Sequence, residues 1–336
     1  MKLIGRKKRV LVLGGTILLL LMIVAVISWP FIKPIKVTWS SLPYEYTIYG
    51  THVEINKYTG DETDVVIPAY ICFRPVKALT GTYHREKDLF YQNNSIRSVY
   101  IPDTVTYMWE WCFAGCENLV EVRLSPNMTG ISDMAFVQCE SLEKIVIPEG
   151  IEYIGGSAFR GCSNLKEVAL PQSLKAIGVT AFANCEKLEY VNIPAGVEEI
   201  AGDSFAGTAW EKTWKEEFVI AGKNILLEYK GEDEVIVIPE GIEYIGSDMF
   251  SENDDVKVLI MPESLRECNM HTVWYCERLE YVVVKNSDMV FPEGHIVAGN
   301  KDIILVGESG STTEAYAKEM GYKFATSLPP EYADYQ

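Results

Sequence analysis

Eight cysteines are the first residues of this sequence whose chemistry and spacing call for an explanation. Two of them, Cys162 and Cys185, lie in the stretch FRGCSNLKEVALPQSLKAIGVTAFANCEKLEYVNIP, each three residues after a phenylalanine and three before a leucine. Regularly spaced cysteines can form disulfides, bind a metal ion or supply a nucleophile. The structural elements that hold them decide which of these chemistries is possible.

Metal binding and catalysis find little support in the residue spacing. A zinc site needs close pairs such as C-x₂₋₄-C that converge on one ion, and the close pair here, Cys112 and Cys116, has no histidine beside it. The acidic runs at residues 232–234 and 252–255 lack the ordered spacing of a calcium loop. The four histidines are scattered over different parts of the chain, at His52, His84, His271 and His295. We therefore predict no catalytic residue, no metal site and no cofactor, and a protein that is not an enzyme.

A repeat of 23 residues organises the chain. Pro148, Pro171 and Pro194 are each 23 residues apart, as are Pro239 and Pro262 further on. Counted from this proline position, a phenylalanine recurs eleven residues later, at Phe113, Phe136, Phe159, Phe182, Phe205 and Phe250. Such a period predicts a solenoid in which each coil has one short strand and a turn or short helical return, and in which stacked coils share one core. The phenylalanine column should form a continuous spine through that core.

The repeat gives the cysteines a structural interpretation. Five occupy one column, fourteen residues after the proline position, while Cys112 and Cys268 replace small or apolar residues of other columns, and Cys72 lies outside the interior columns. Buried free cysteine behaves as a small hydrophobe. Disulfides between coils stay an alternative in an oxidising compartment, but residues in register point the same way and place their Cβ atoms too far apart. We expect free thiols at the five positions Cys116, Cys139, Cys162, Cys185 and Cys276.

The units I-P-x-G-[IV]-x-x-I-G-x-x-A-F-x-x-C-x-x-L-x-x-V-x-[IL], clearest in residues 147–193, resemble the BspA-like leucine-rich repeats of bacterial surface proteins. The resemblance covers roughly residues 65–284, and the tail GESGSTTEAYAKEMGYKF resembles the usual end of such arrays. It implies an α/β repeat fold, a leucine-rich repeat solenoid of stacked short parallel strands displayed outside the cell, often for adhesion or ligand binding. Members share the scaffold more than any single activity, so the resemblance implies little about the ligand.

Three segments interrupt or flank the repeats. Residues 46–68 and 218–239 each carry a Tyr-x-Gly unit ten residues before the proline, and residues 295–305 are a weaker copy. We interpret each as a β-hairpin, with its turn at Gly50, Gly222 or Gly299. The first and third should cap the exposed strand edges at the ends of the array, and the second should divide the array in two.

The N-terminus predicts a membrane anchor. Five basic residues precede an uncharged apolar run, residues 10–28, which is long enough to span a bilayer with its basic flank in the cytoplasm. A cleaved signal peptide is the alternative, although the residues after the run make a poor cleavage site. The predicted organisation is a basic tail at 1–9, an anchor at 10–28, a linker at 29–45, a hairpin cap at 46–66, repeats at 67–210, a hairpin insert at 211–234, repeats at 235–284 and a C-terminal hairpin and cap at 285–336.

Charge and the strand faces limit the choice of partners. The formal net charge is −17, and leaving out the seven basic residues of positions 1–36 gives −24 for the rest, which disfavours nucleic acid. Outward strand positions of the C-terminal coils are apolar and make a candidate partner-binding face. The alternative is that the insert around Trp210 and Trp214, or the C-terminal hairpin, covers that face. The candidate residues are Tyr190, Val235, Val237, Val258, Ile260, Tyr281 and Val283.

These observations predict a non-catalytic, single-pass membrane protein whose extracellular repeats bind a protein or glycan at the cell surface. Two other interpretations stay open: an accessory to an enzyme that acts on the cell wall or on glycans, and a structural spacer. A convergent carboxylate cluster in a cleft would favour the enzyme accessory, and an aromatic or apolar surface would favour binding.

Overall fold

The structure, a computed structural model, describes residues 35–38, 42–81, 89–222, 224–246, 249–251, 253–268, 272–296 and 302–335. Over these ranges no helix is both long and apolar enough to cross a bilayer. The expected anchor, residues 10–28, lies outside the described residues, so the structure does not test it.

The secondary structure consists almost entirely of short strands. The N-terminal part contains β1 Ile35–Thr38, β2 Tyr44–Ile48, β3 Val53–Tyr58, β4 Asp64–Val66, β5 Tyr70–Ile71 and β6 Arg74–Leu79. The first run of repeats contains β7 Ser98–Tyr100, β8 Tyr107–Met108, β9 Glu121–Arg123, β10 Gly130–Ile131, β11 Lys144–Val146, β12 Tyr153–Ile154, β13 Glu167–Ala169, β14 Ala176–Ile177 and β15 Glu199–Ile200. The insert contains a 3₁₀ turn at Glu211–Thr213, β16 Phe218–Ala221 and β17 Ile225–Tyr229. The remainder contains β18 Val235–Val237, β19 Tyr244–Ile245, β20 Val258–Met261, β21 Tyr281–Val284, β22 Ile304–Val306, the helix α1 Thr312–Met320, β23 Lys323–Ala325 and a 3₁₀ segment at Pro330–Tyr335.

Each coil contributes to two parallel ladders. The strands before the proline position form sheet 1, where Lys144 is opposite Glu167 and Val235 is opposite Val258, one 23-residue repeat apart. Two-residue strands after the proline form sheet 2, where Ile154 is opposite Ile177 and Ile177 opposite Ile200. The solenoid of stacked parallel strands is thus confirmed. In the described part of the repeats the returns between strands are turns, and the helix α1 forms the return between β22 and β23.

The phenylalanine column forms a stacked spine. From Phe90 to Phe205 the rings lie nearly parallel, with neighbouring centroids 4.9–5.5 Å apart and interplanar angles of 12° or less. Every ring from Phe90 to Phe182 is completely buried. Each coil therefore rests its largest side chain on those of its neighbours, as the fixed spacing predicts.

Aromatic residues of the hairpins end the spine. In the first hairpin β2 and β3 are antiparallel around Gly50, and Tyr58 packs on Phe90 with centroids 5.0 Å apart. In the insert β16 and β17 are antiparallel around Gly222, and Tyr229 packs on Phe250 at 5.7 Å. The strands β3 and β17 then enter sheet 2 in parallel, so each hairpin also supplies a coil.

The third predicted hairpin is not supported by the described part of its range. Residues 297–301, which include its turn, lie outside the described residues. Ile304–Val306 joins sheet 1 in parallel between Tyr281–Val284 and Lys323–Ala325, which makes it a further coil strand. The helix α1 then begins at the N-cap Ser311 and ends at Gly321, whose φ of 79° is the left-handed conformation that glycine adopts readily.

Two hydrophobic clusters share the core. The first extends from Tyr44 to Ile225 and the second from Leu226 to Tyr322. The division falls within β17, inside the insert that the sequence predicts will divide the array.

Candidate functional site

The cysteine column is buried, and its thiols have a specific hydrogen-bonding role. All eight cysteines are free thiols in this structure. In all five members of the column, Sγ donates to the backbone carbonyl oxygen of the phenylalanine one coil earlier, at 2.8–3.2 Å. Burial raises the pKa of the Cys116 thiol to about 12 and holds the pKa values of Cys139 and Cys162 well above the ordinary value. These thiols are therefore protonated structural donors and weak nucleophiles.

The described histidines make local contacts. His52 stacks on Tyr49 with ring centroids 4.8 Å apart and lies 3.3 Å from a carboxylate oxygen of Glu54. His295 Nδ1 lies 2.8 Å from the hydroxyl of Tyr322. His84 and His271 lie outside the described residues. Across the part of the chain that is described, no group of three or more histidine, cysteine or acidic residues is placed to hold a metal ion.

The C-terminal half of the candidate partner-binding face is covered. Val258, Ile260 and Val283 are buried, with Ile260 only 1% exposed, so the exposure expected of these three is wrong. They form a small cluster with Val306 and Leu328, against which Tyr281 and Tyr332 pack with ring centroids 6.0 Å apart. The chain after β23 folds back over the sheet, so the cover expected from the insert or the C-terminal hairpin comes from this last segment instead. Val235 and Tyr281 are half-buried at the edge of this cluster.

Tyr190 and Val237 differ from the rest of that face. Val237 is 44% exposed and Tyr190 is 64% exposed. Sheet 1 is interrupted at Tyr190, because residues 190–192 form no strand and, within the described chain, no backbone hydrogen bond links them to a neighbouring coil. The insert comes between this coil and β18, and the interruption opens a cleft of about 700 Å³.

Aromatic side chains form one side of the cleft. The backbone N–H of Trp210 donates to the carbonyl oxygen of Leu188 at 2.7 Å, which fixes the insert to the coil that carries Tyr190. The ring of Trp210 lies edge-on to Phe205 at 4.9 Å, where it ends the first spine. Tyr190 and Trp214 each pack edge-on against Trp210, at 6.1 and 5.3 Å. Trp210 therefore connects the buried spine to the exposed Tyr190 and the half-buried Trp214.

The opposite side of the cleft is the hairpin strand Phe218–Ala221, in which Ile220 is exposed. Gly222 brings the end of this strand close to the first segment, since a Cβ placed there would lie 3.8 Å from a methyl carbon of Ile193. Polar groups on the lining include the side-chain amides of Gln172 and Asn192 and the hydroxyl of Thr213. Such a mixture of aromatic surface and a few polar groups is typical of ligand sites.

The cleft is nearly uncharged although the protein is strongly acidic. Lys215 and Glu216 are the charged members of the described lining, and Glu216 is its one carboxylate. Next to it, desolvation and the neighbouring Asp233 raise the pKa of the exposed Glu217, which does not line the cleft. The cleft therefore contains no pair of carboxylates for glycosidic bond cleavage among its described residues.

Sequence reasoning identified only part of this site. Tyr190 belongs to the predicted face, and the insert around Trp210 and Trp214 is one of the two covers that the alternative interpretation offers. The structure places all three on one cleft, with Tyr190 still exposed. The sequence feature that indicates the cleft is the 45-residue step from Pro194 to Pro239. Where the array is interrupted, sheet 1 lacks a strand, and the missing strand must leave a gap.

A family profile agrees with this repeat architecture. The sequence profile described as "BspA type Leucine rich repeat region" matches residues 85–210 and 228–294, in six copies. Among solved structures, the chain is similar to a leucine-rich cell surface protein of Faecalibacterium prausnitzii, with 22% identity, 90% of this chain and 98% of that chain covered, and a TM-score of 0.43. It is also similar to the pneumococcal vaccine antigen PcpA, with 16% identity, coverage of 88% and 99%, and a TM-score of 0.45.

A third similar structure is a leucine-rich repeat protein of Bacteroides ovatus, with 18% identity, coverage of 84% and 79%, and a TM-score of 0.41. No curated protein matches the sequence. The family profile covers more than half of the chain and coincides with the two runs of coils on either side of the insert. The chain is a member of the BspA-type leucine-rich repeat family.

Proposed function

We propose that this protein is a non-catalytic cell-surface receptor that binds an uncharged glycan in the aromatic cleft. In this proposal residues 10–28 anchor it in the membrane and the repeats lie outside the cell. The observation that carries the proposal is the juxtaposition of Tyr190, Trp210 and Trp214 beside an almost uncharged opening of about 700 Å³.

The chemistry of the lining favours a saccharide. The face of an aromatic ring carries partial negative charge and attracts the polarised C–H groups on the apolar face of a sugar ring. Amide and hydroxyl groups such as those of Asn192, Gln172 and Thr213 can exchange hydrogen bonds with sugar hydroxyls. A basic or acidic peptide would require charged partners, and the lining contains one lysine and one glutamate. An opening of this volume lies in the range of typical ligand sites.

The test is a glycan array probed with the full-length chain in mild detergent, followed by calorimetry with the best saccharide. Trp214→Ala and Tyr190→Ala should each weaken binding by about tenfold or more, as removal of an aromatic anchor does. Tyr275→Ala is the matched control, since Tyr275 is also exposed but does not line the cleft.

Two results would count against this function. Absence of binding to any neutral saccharide would reject it, and capture of a protein ligand that depends on Tyr190 would assign the cleft to protein recognition instead. Release of a shortened saccharide during the measurement would contradict the non-catalytic assignment.

A further inference from the structure

A short aromatic hairpin projects from the N-terminal end of the array, far from the cleft in sequence. Ile71 is paired with Arg74, so Cys72 and Phe73 form a two-residue turn. Both residues have positive φ, 50° and 62°, as in a type I′ turn, where asparagine and glycine are the favoured residues. A phenylalanine in this conformation is strained, and packing does not compensate because Phe73 is 82% exposed.

The neighbouring residues extend this exposed apolar surface. Tyr70 is 62% exposed and Val66 is 68% exposed, so three large apolar side chains within eight residues face solvent. We call Tyr70 and Phe73 the aromatic tip. Large apolar side chains exposed close together usually mark a contact with a partner or a membrane.

The aromatic tip lies at the end of the sheet where the chain enters the fold. Ile35, the first residue of β1, is opposite Ile48, next to the turn around Gly50. Arg74, which follows the aromatic tip, donates from Nη1 to the carbonyl oxygen of Gly50 at 2.5 Å. The start of β1, the turn at Gly50 and the aromatic tip are therefore at one end of the N-terminal sheet.

The sequence places this end close to the expected membrane anchor. Seven residue steps separate Ser28, the last residue of the apolar run, from Ile35. Even a fully extended chain spans at most about 25 Å over that distance. The end of the sheet that carries the aromatic tip must consequently stay within reach of the bilayer surface.

The charge distribution is compatible with a phospholipid surface. Neither residues 47–52 nor residues 70–75 contain an acidic residue, although the chain has 47 of them. The turn at Gly50 adds a second aromatic pair, Tyr49 stacked on His52. Because anionic headgroups repel carboxylates, a membrane-facing surface on an acidic protein should carry few of them. Glu54, beside the turn at Gly50, lies 3.3 Å from the imidazole of His52.

We infer that the aromatic tip inserts Phe73 and Tyr70 into the headgroup region of the membrane that anchors the chain. Aromatic side chains concentrate at this depth because their rings prefer the boundary between water and hydrocarbon. The contact would hold the first coil against the bilayer and set the direction in which the array leaves it. This inference rests on the anchoring stated in the proposed function and is independent of glycan binding.

Photocrosslinking of the full chain in vesicles of phosphatidylcholine and phosphatidylglycerol tests the contact. Benzoylphenylalanine replaces Phe73 in one protein and Tyr70 in a second, and replaces the exposed Tyr275 in the control. With alkyne-tagged phospholipid we expect lipid adducts in the proteins labelled at positions 73 and 70, and none in the control labelled at position 275. Melting temperatures equal to that of the unmodified chain would establish that all three proteins are folded.

The inference would be overturned if lipid adducts were no more frequent at positions 73 and 70 than at position 275. Crosslinks from position 73 to a second copy of the chain would also overturn it. Flotation of the same vesicles reports the anchoring separately, and failure of the chain to float would overturn both the anchoring and this contact. Saccharide binding measured on the same samples reports the cleft alone.

Discussion

The cysteine column shows how burial controls the chemistry of a single residue type. Each of the five thiols donates a hydrogen bond to the preceding coil. Burial opposes ionisation of four of them, Cys116, Cys139, Cys162 and Cys276. At the same scale, the phenylalanines of the spine are among the largest fully buried side chains. Where a coil carries the column cysteine, the 23-residue period thus specifies both an apolar contact and a polar contact with the preceding coil.

A consequence at the residue scale is loss of stability in alkali. Cys116 has a folded-state pKa raised by burial to about 12, above the ordinary value near 9, so the fold favours the neutral thiol. Its contribution is complete below pH 9 and disappears as the pH rises toward 12, because the unfolded chain ionises first. Above pH 9 the free energy of unfolding should therefore decrease less steeply with pH in Cys116→Ala than in the unmodified chain. The two slopes should differ by up to about 1.4 kcal/mol per pH unit.

Urea unfolding under reducing conditions at several pH values between 8 and 11 measures this slope. Val122→Ala provides the control, because it also alters a buried side chain but removes no ionisable group. Identical slopes for Cys116→Ala and the unmodified chain would show that the thiol is not held neutral by the fold.

At the scale of elements, the two Tyr-x-Gly units act as caps for the spine. Tyr58 and Tyr229 each fold over the glycine two residues later and direct the hydroxyl toward an acidic residue four positions on, Glu62 or Asp233. In the second unit a Cβ on Gly231 would lie 2.5 Å from Cζ of Tyr229, closer than any allowed contact. The recurrence of the Tyr-x-Gly unit therefore has a steric explanation.

Gly231→Ala should destabilise the second cap. The ring of Tyr229 packs against both Phe218 and Phe250, at 5.1 and 5.7 Å, so it cannot move aside without loss of these contacts. We expect a decrease of about 1–3 kcal/mol in the free energy of unfolding, as for other overpacked sites.

A double-mutant cycle separates this steric effect from other consequences of the substitution. In a Tyr229→Ala background, Gly231→Ala should change the unfolding free energy only slightly, since the overlapping ring is absent. An equal decrease in both backgrounds would contradict the proposed packing of the ring on the glycine.

For the whole molecule, the division of the core at β17 predicts two units of stability. The buried residues from Tyr44 to Ile225 and those from Leu226 to Tyr322 belong to different hydrophobic clusters, although β17 contributes to both and pairs in parallel with β19. In arrays of this kind stability is close to a sum of contributions from coils and their neighbours. Damage in one cluster should therefore spread only weakly to the other.

Phe250→Ala should make this division visible. Removal of the buried ring should lower the stability of the second cluster by about 3–5 kcal/mol. Native-state hydrogen exchange should then show reduced protection over residues 236–306 and nearly unchanged protection around Phe136, with the opposite pattern for Phe136→Ala. A uniform loss of protection over both clusters would show a single cooperative unit instead.

The sequence by itself determined the parts of this protein that arise from nearest-neighbour stacking. The fixed period specified the solenoid, the spine through Phe159 and Phe182 and the buried cysteine column, because every coil repeats the same local contacts. The Tyr-x-Gly copies indicated where hairpins interrupt it. These features need no knowledge of how distant segments meet.

The tertiary structure alone decided which outward surfaces stay exposed. Ile260 and Val283 have the pattern of an open sheet face, but Leu328 and Tyr332 return over them from the C-terminal end. Tyr190 stays exposed because the insert is held to its coil by the hydrogen bond from Trp210 to Leu188, which leaves a gap beside Tyr190. Exposure depends on contacts between segments remote in sequence, and a local repeat carries no information about where those segments fold back.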